Sequence, residues 1–86
     1  MSYSVLLSGR ASRELRSLPK EIVARIHQQI VALADDPRPR RSKKLRSKTP
    51  EGWRIRVGDY RILYRIDDPK REVIIYRIGH RREVYD

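Results

Sequence analysis

The chain has 86 residues, a formal net charge of +10 and no cysteine. That length suits one domain spanning 1–86, which buries about 60–65% of its unfolded-chain surface and is marginally stable alone. The missing cysteines exclude a disulfide frame and thiol chemistry and fit a reducing, cytoplasmic setting. No apolar run approaches the roughly 18 residues of a membrane span, and MSYSVLLSGR lacks the charged start and long apolar stretch of a signal peptide.

Tyr3 to Leu7 is a short apolar run that predicts a strand. Ser8 or Gly9 opens a helix over about Arg10 to Ser17, with Ala11, Leu15 and Leu18 on one side. Pro19 breaks that helix and fits the first turn of the next one. The second helix runs to about Ala34, and its Ile22, Ile26, Ile30 and Leu33 form a buried stripe. The two make a helical hairpin, and the prolines of DDPRPR end it.

The positive charge is concentrated C-terminal to these helices. Arg38 to Arg61 carries ten Lys/Arg against two Asp/Glu, net +8, whereas each flanking segment is net +1. Such a block is the electrostatic footprint of a polyanionic or acidic partner. Its arm offers Arg38, Arg40, Arg41, Lys43, Lys44, Arg46 and Lys48 as nucleic-acid contacts. A solvated basic loop is the plain alternative for the arm alone. Leu45 is expected to anchor the arm to the body.

Three strands complete the chain, Trp53 to Val57, Tyr60 to Ile66 and Val73 to Ile78. Gly58-Asp59 is a two-residue hairpin turn, and short turns pair sequential strands antiparallel. The order β-α-α-β-β-β predicts an α+β fold: a mostly antiparallel four-stranded sheet with the helical hairpin packed on one face. Alternation puts Trp53, Ile55, Val57, Tyr60, Ile62 and Tyr64 on the helix side. With a five-residue DDPKR loop, Ile74, Tyr76 and Ile78 join them. The open face then shows Arg54, Arg56, Arg61, Leu63, Arg65, Val73, Ile75 and Arg77. A four-residue loop would flip the last strand and carry Arg77 to the core side.

The hairpin register sets Arg56 opposite Arg61, with Arg54 on the same face. Like charges directly opposite each other destabilise a sheet. A locally broken rule of this kind is expected at a functional site, here one for an anion. Metal chemistry has no signature: His27 and His80 lie far apart with no carboxylate pattern around them, and His27 reads as a surface or boundary residue. No Gly-rich phosphate loop is present and no cofactor is implied. The available groups are arginine, histidine and tyrosine. These suit RNA cleavage, in which the ribose 2′-hydroxyl is itself the nucleophile. The protein need only place the backbone, stabilise phosphoryl charge and move protons. In the ending IGHRREVYD, Gly79 is expected to end the last strand and let the chain turn. His80 is a candidate acid or base, since histidine titrates near neutrality, and Tyr85 a candidate stacking group or base. Arg81 and Arg82 lie between them. A frayed tail with Tyr85 packed down is the plain alternative.

The element order, the GDYRILYRID stretch and the ending IGHRREVY resemble the RelE branch of the RelE/ParE toxins of bacterial toxin–antitoxin systems. The resemblance spans essentially the whole chain. It implies a fold similar to the small microbial ribonucleases and a metal-independent activity that cuts messenger RNA on the ribosome. It also implies a cognate antitoxin that wraps the toxin with an acidic and apolar segment, with operator DNA met only through that complex. By the same resemblance, Arg54 and Arg56 contact phosphate and steady the transition state, Arg61 lies against the scissile phosphate, Arg81 is a candidate for protonating or stabilising the leaving 5′-oxygen, and Tyr85 stacks or accepts a proton. Two departures bear on mechanism. Arg54 and Arg56 stand where the best-known members have lysine, and arginine cannot serve as a base at ordinary pH. His80 also stands where lysine is found, which makes it a rival of Tyr85 for proton transfer. The chain is expected to lack the C-terminal helix of some members. The alternatives are a ParE-like inhibitor of DNA gyrase and a plain RNA-binding module.

Overall fold

The structure, a computed structural model, describes residues 2–45 and 52–84; Arg46, Lys48 and Tyr85 lie outside them. The elements are β1 (Ser4–Leu7), α1 (Gly9–Arg16), α2 (Lys20–Asp35), β2 (Lys43–Lys44), β3 (Trp53–Val57), β4 (Tyr60–Asp67) and β5 (Glu72–His80). Among the described residues the sheet has five strands, in the order β1-β5-β4-β3-β2. β1 runs parallel to β5, and the remaining pairs are antiparallel. Ser8 caps α1: its backbone is extended and its Oγ accepts from the Ala11 amide at 3.1 Å.

The helical hairpin covers one face. Ala11, Ile26 and Leu33 are buried against Ile55, Val57, Ile62, Tyr64, Val73, Ile75 and Ile78, with Leu15, Leu18, Ile22 and Ile30 packed around them. Tyr64 is wholly buried and donates its hydroxyl to the Pro37 carbonyl at 2.8 Å. Burial pushes its phenol up to about 12. On the other face Leu45, Leu63 and Val84 form a smaller cluster, joined by Tyr76. Leu45 therefore anchors the arm as expected.

Three expectations are corrected. The fifth strand is Lys43–Lys44, paired through Lys43 to Arg54 and Lys44 to Trp53. A strand of two lysines has no hydrophobic alternation to betray it, although lysine suits a sheet edge. The β4–β5 connection spans four residues, with Asp67 opposite Glu72 and Arg71 in the left-handed region at φ 53°. Val73 and Ile75 therefore enter the main core, and Ile74 and Tyr76 do not join that set. A bulge opposite Leu63/Tyr64 then takes up Tyr76 as one extra residue, which returns Ile78 to the core and keeps Arg77 out of it. Lastly, Gly79 does not end β5, which continues through His80. A Cβ on Gly79 would stand 2.7 Å from Val84 Cγ2, so glycine permits the C-terminal segment to fold back over the strand.

Glu14 of α1 completes the free length of β5 beyond its pairing with β1. It accepts from the Ile78 amide at 2.9 Å and from Arg77 Nε at 3.1 Å. Nothing in the local sequence around Glu14 signals this cap.

Candidate functional site

The hairpin forms in the expected register, with Val57 opposite Tyr60 and Arg56 opposite Arg61. Gly58 has φ +61° at the first central position, as a type II′ turn requires. The turn matches the strand twist and holds the arginine pair face to face. Arg56 is exposed, Arg61 half-buried and Arg54 only 7% exposed.

Arg41, Lys43, Arg54 and Arg56 line one cavity of about 280 Å³. β2 is what brings the arm to this place, since Lys43 pairs directly with Arg54. Four cations around one concavity focus a positive potential there. Arg41 is steadied by a hydrogen bond to the Gln29 side chain of α2. Arg61 Nη1 donates to the Val84 carbonyl at 3.4 Å, so this arginine touches the folded-back tail as well as facing Arg56.

The tail is fixed to the hairpin turn. The Arg81 amide donates to the Asp59 carbonyl at 2.8 Å, and Arg81 Nε stands 4.0 Å from Asp59 Oδ1. Arg81 is thereby tethered at the hairpin end of the sheet with its guanidinium exposed. His80 is placed differently. It lies opposite Tyr60 on the adjacent strand, and the two rings meet edge to face at 5.5 Å. Tyr60 packs on the main core, which puts both rings on the helix side, across the sheet from Arg56 and Arg61.

The remaining candidate cations fall into two groups. Arg40, Lys43, Lys44 and Arg82 are exposed and Arg65 is half-buried. Arg38 and Arg77 are committed to carboxylates. Arg38 binds Asp68 with both nitrogens, at 3.3 and 2.7 Å, and lies over the Trp53 ring at 5.5 Å. Hydrogen bonds from Arg38 and from Tyr3 hold the Asp68 carboxyl below its ordinary range, and the bond to Asp68 raises the Tyr3 phenol. Arg38 thus pins the start of the arm to the β4–β5 turn, where Asp68 also accepts from the Tyr3 hydroxyl just before β1. Arg77 is held by Glu14 and reaches the Glu83 carbonyl. Asp68 and Glu14, neither singled out from sequence, lie 30 and 63 residues from the arginines they bind; local spacing carries no signal for such pairs. Among the described residues, no three His, Asp or Glu side chains gather as a metal site would require.

The family profile described as "ParE toxin of type II toxin-antitoxin system, parDE" matches residues 5–85. Toxin RelG of Mycobacterium tuberculosis (strain ATCC 25618 / H37Rv) is 38% identical over 86 residues, which cover 99% of this chain and 98% of the relative. The toxin–antitoxin complex RelBE2 of Mycobacterium tuberculosis contains a chain that superposes with a TM-score of 0.83 at 36% identity, covering 94% of this chain and 100% of that one. A chain of the archaeal RelE–RelB complex from Pyrococcus horikoshii OT3 gives a TM-score of 0.83 at 27% identity, with 98% and 100% covered.

Proposed function

The chain is a RelE-type toxin of the RelE/ParE superfamily of type II toxin–antitoxin systems, and from that premise we propose that it is a ribosome-dependent endoribonuclease that cuts messenger RNA by 2′-hydroxyl attack on the adjacent phosphate. The observation that carries this reading is the convergence of Arg41, Lys43, Arg54 and Arg56 on one cavity, with Arg61 facing Arg56 across the hairpin. The opposed pair Arg56 and Arg61 carries a like-charge repulsion. A phosphate relieves it, and relieves it most when the pentavalent transition state carries extra charge.

In this scheme Arg41 and Lys43 hold the RNA backbone at the mouth, together with the exposed Arg40, Lys44 and Arg82. Arg54 and Arg56 position the phosphate, and Arg61 neutralises its non-bridging oxygens. The 2′-oxygen bonds to phosphorus as the bond to the 5′-oxygen breaks, leaving a 2′,3′-cyclic phosphate and a 5′-hydroxyl. Arg81, tethered to the hairpin turn, stabilises the departing 5′-oxygen, which takes its proton from water. Arginine holds its proton too tightly to act as the base, and Tyr85, as the phenolate, is the proposed acceptor of the 2′-hydroxyl proton. Charge stabilisation by fixed guanidinium groups makes the reaction independent of added metal. Such a reaction belongs in the cytoplasm, and no helix among the described residues is long and apolar enough to cross a membrane.

The relatives crystallised as RelE–RelB complexes support a cognate antitoxin as partner. An antitoxin segment alternating acidic and apolar residues would neutralise the arginine cavity, its apolar residues packing beside the half-buried Tyr76. The operator would be reached only through that complex.

The test is primer extension on messenger RNA translated by purified ribosomes with the purified protein, alongside a gyrase supercoiling assay. Discrete cleavage within the coding region that persists on intact ribosomes in magnesium-matched buffer with chelator supports the reading. Inhibition of supercoiling without cleavage would replace it with the ParE-like alternative.

A further inference from the structure

Four hydrogen bonds shape the segment after β5. The His80 carbonyl accepts from the Glu83 amide at 2.8 Å and the Val84 amide at 3.0 Å, while the Asp59 carbonyl accepts from the Arg81 amide. The remaining amide of the turn, that of Arg82, donates to His80 Nδ1 at 3.1 Å. The imidazole thus caps its own turn two residues on, as an Asn or Asp side chain does in an Asx-turn.

The capped ring is poorly placed to carry protons for the reaction. In the neutral ring Nδ1 is the acceptor, so the proton sits on Nε2. The basic lone pair is already occupied by a backbone amide, and the Nε2–H can donate but not accept. The ring is also held edge to face against Tyr60 on the helix side of the sheet, away from Arg56 and Arg61. What the turn does control is the tail. Arg81 lies within it, and Val84 at its end packs on Gly79 and offers its carbonyl to Arg61.

We propose that His80 is a positioning residue: its Nδ1 closes the turn that sets Arg81 and lays Val84 against Arg61, and Tyr60 fixes the ring that makes this bond. The assignment rests on the endoribonuclease reading for its kinetic consequence, and on this chain's geometry alone for the turn.

The discriminating variant is His80→Asn, which has no titrating group but can offer Oδ1 to the Arg82 amide. Single-turnover cleavage on programmed ribosomes should fall at least tenfold in His80→Ala and return to within about threefold of wild type in His80→Asn. By NMR, the Arg82 amide should be protected from hydrogen exchange in the wild type and His80→Asn and exchange freely in His80→Ala. An asparagine variant as slow as the alanine variant, with Arg82 still protected, would make His80 a proton carrier and overturn the proposal. Wild-type rates in both variants would also overturn it. If the wild type cuts no RNA, the endoribonuclease reading fails by itself. The exchange data then decide the turn: unchanged protection in His80→Ala refutes it, and loss there with retention in His80→Asn supports it.

Discussion

Replacing Arg56 with glutamine should make the free protein more stable and the toxin less active. Arg56 and Arg61 are directly opposed on β3 and β4, and Arg41, Lys43 and Arg54 share the cavity that Arg56 lines. Opposed like charges on a sheet cost a few tenths of a kcal/mol to about 1 kcal/mol. Arg56 is exposed, which screens the repulsion, but the three further cations add to it. Glutamine keeps much of the stem and removes the charge, so a gain of about 0.5–1 kcal/mol is expected. For a domain of this size that raises Tm by roughly 2–8 °C. The gain should shrink as salt is added, because screening weakens the same repulsion in the wild type. Thermal melts of both proteins at low and high salt measure it, and ribosome cleavage by Arg56→Gln should drop by about 10²-fold. A variant that melts at or below the wild-type temperature in low salt would refute the claim that the arginine pair is strained.

Four further outcomes are expected. Glu14→Ala leaves the Ile78 amide and Arg77 without their carboxylate, and should destabilise the fold by about 1.5–3 kcal/mol in denaturant titration. Gly79→Ala drives a methyl into Val84 and should cost about 1–3 kcal/mol, with the tail displaced in amide-exchange measurements. The Tyr64 phenol is raised above its unfolded value of 10.0, so its contribution is complete below pH 10 and is lost as pH rises toward about 12. Phenolate absorbance should then show a late component at high pH that coincides with unfolding. The Asp68 carboxyl is lowered, so its contribution is present above the ordinary carboxylate value and is lost as pH falls through the depressed one. Fluorescence of Trp53, the sole tryptophan and the ring beneath Arg38, should report that release in acid.

The helices and the hairpin were legible because each is written in a local period. Ala11, Leu15 and Leu18, then Ile22, Ile26, Ile30 and Leu33, repeat at helical spacing and all pack on the core. Gly58-Asp59 fixed the Arg56–Arg61 register without tertiary information. The last strand was not legible in the same way. Its four-residue connection and its bulge at Tyr76 each shift alternation by one, and only packing against Tyr64 and Ile62 selects both. The candidate site was legible as a set of arginines on one hairpin, but not in how they divide. That Arg77 and Arg38 are committed depends on Glu14 and Asp68, which are remote from them in sequence. The placement of His80 depends on strand pairing with Tyr60, which no spacing near the C-terminus encodes.

In the proposed reaction the messenger supplies its own nucleophile and the arginines around Arg56 and Arg61 stabilise the displacement. The most direct measurement uses a ribosome-bound messenger carrying a single 2′-deoxynucleotide immediately 5′ of the mapped cut. No cleavage is expected at that position, and a 2′,3′-cyclic phosphate with a 5′-hydroxyl is expected at the cut in the unmodified messenger. Cleavage of the deoxy-substituted messenger at the unmodified rate would contradict it.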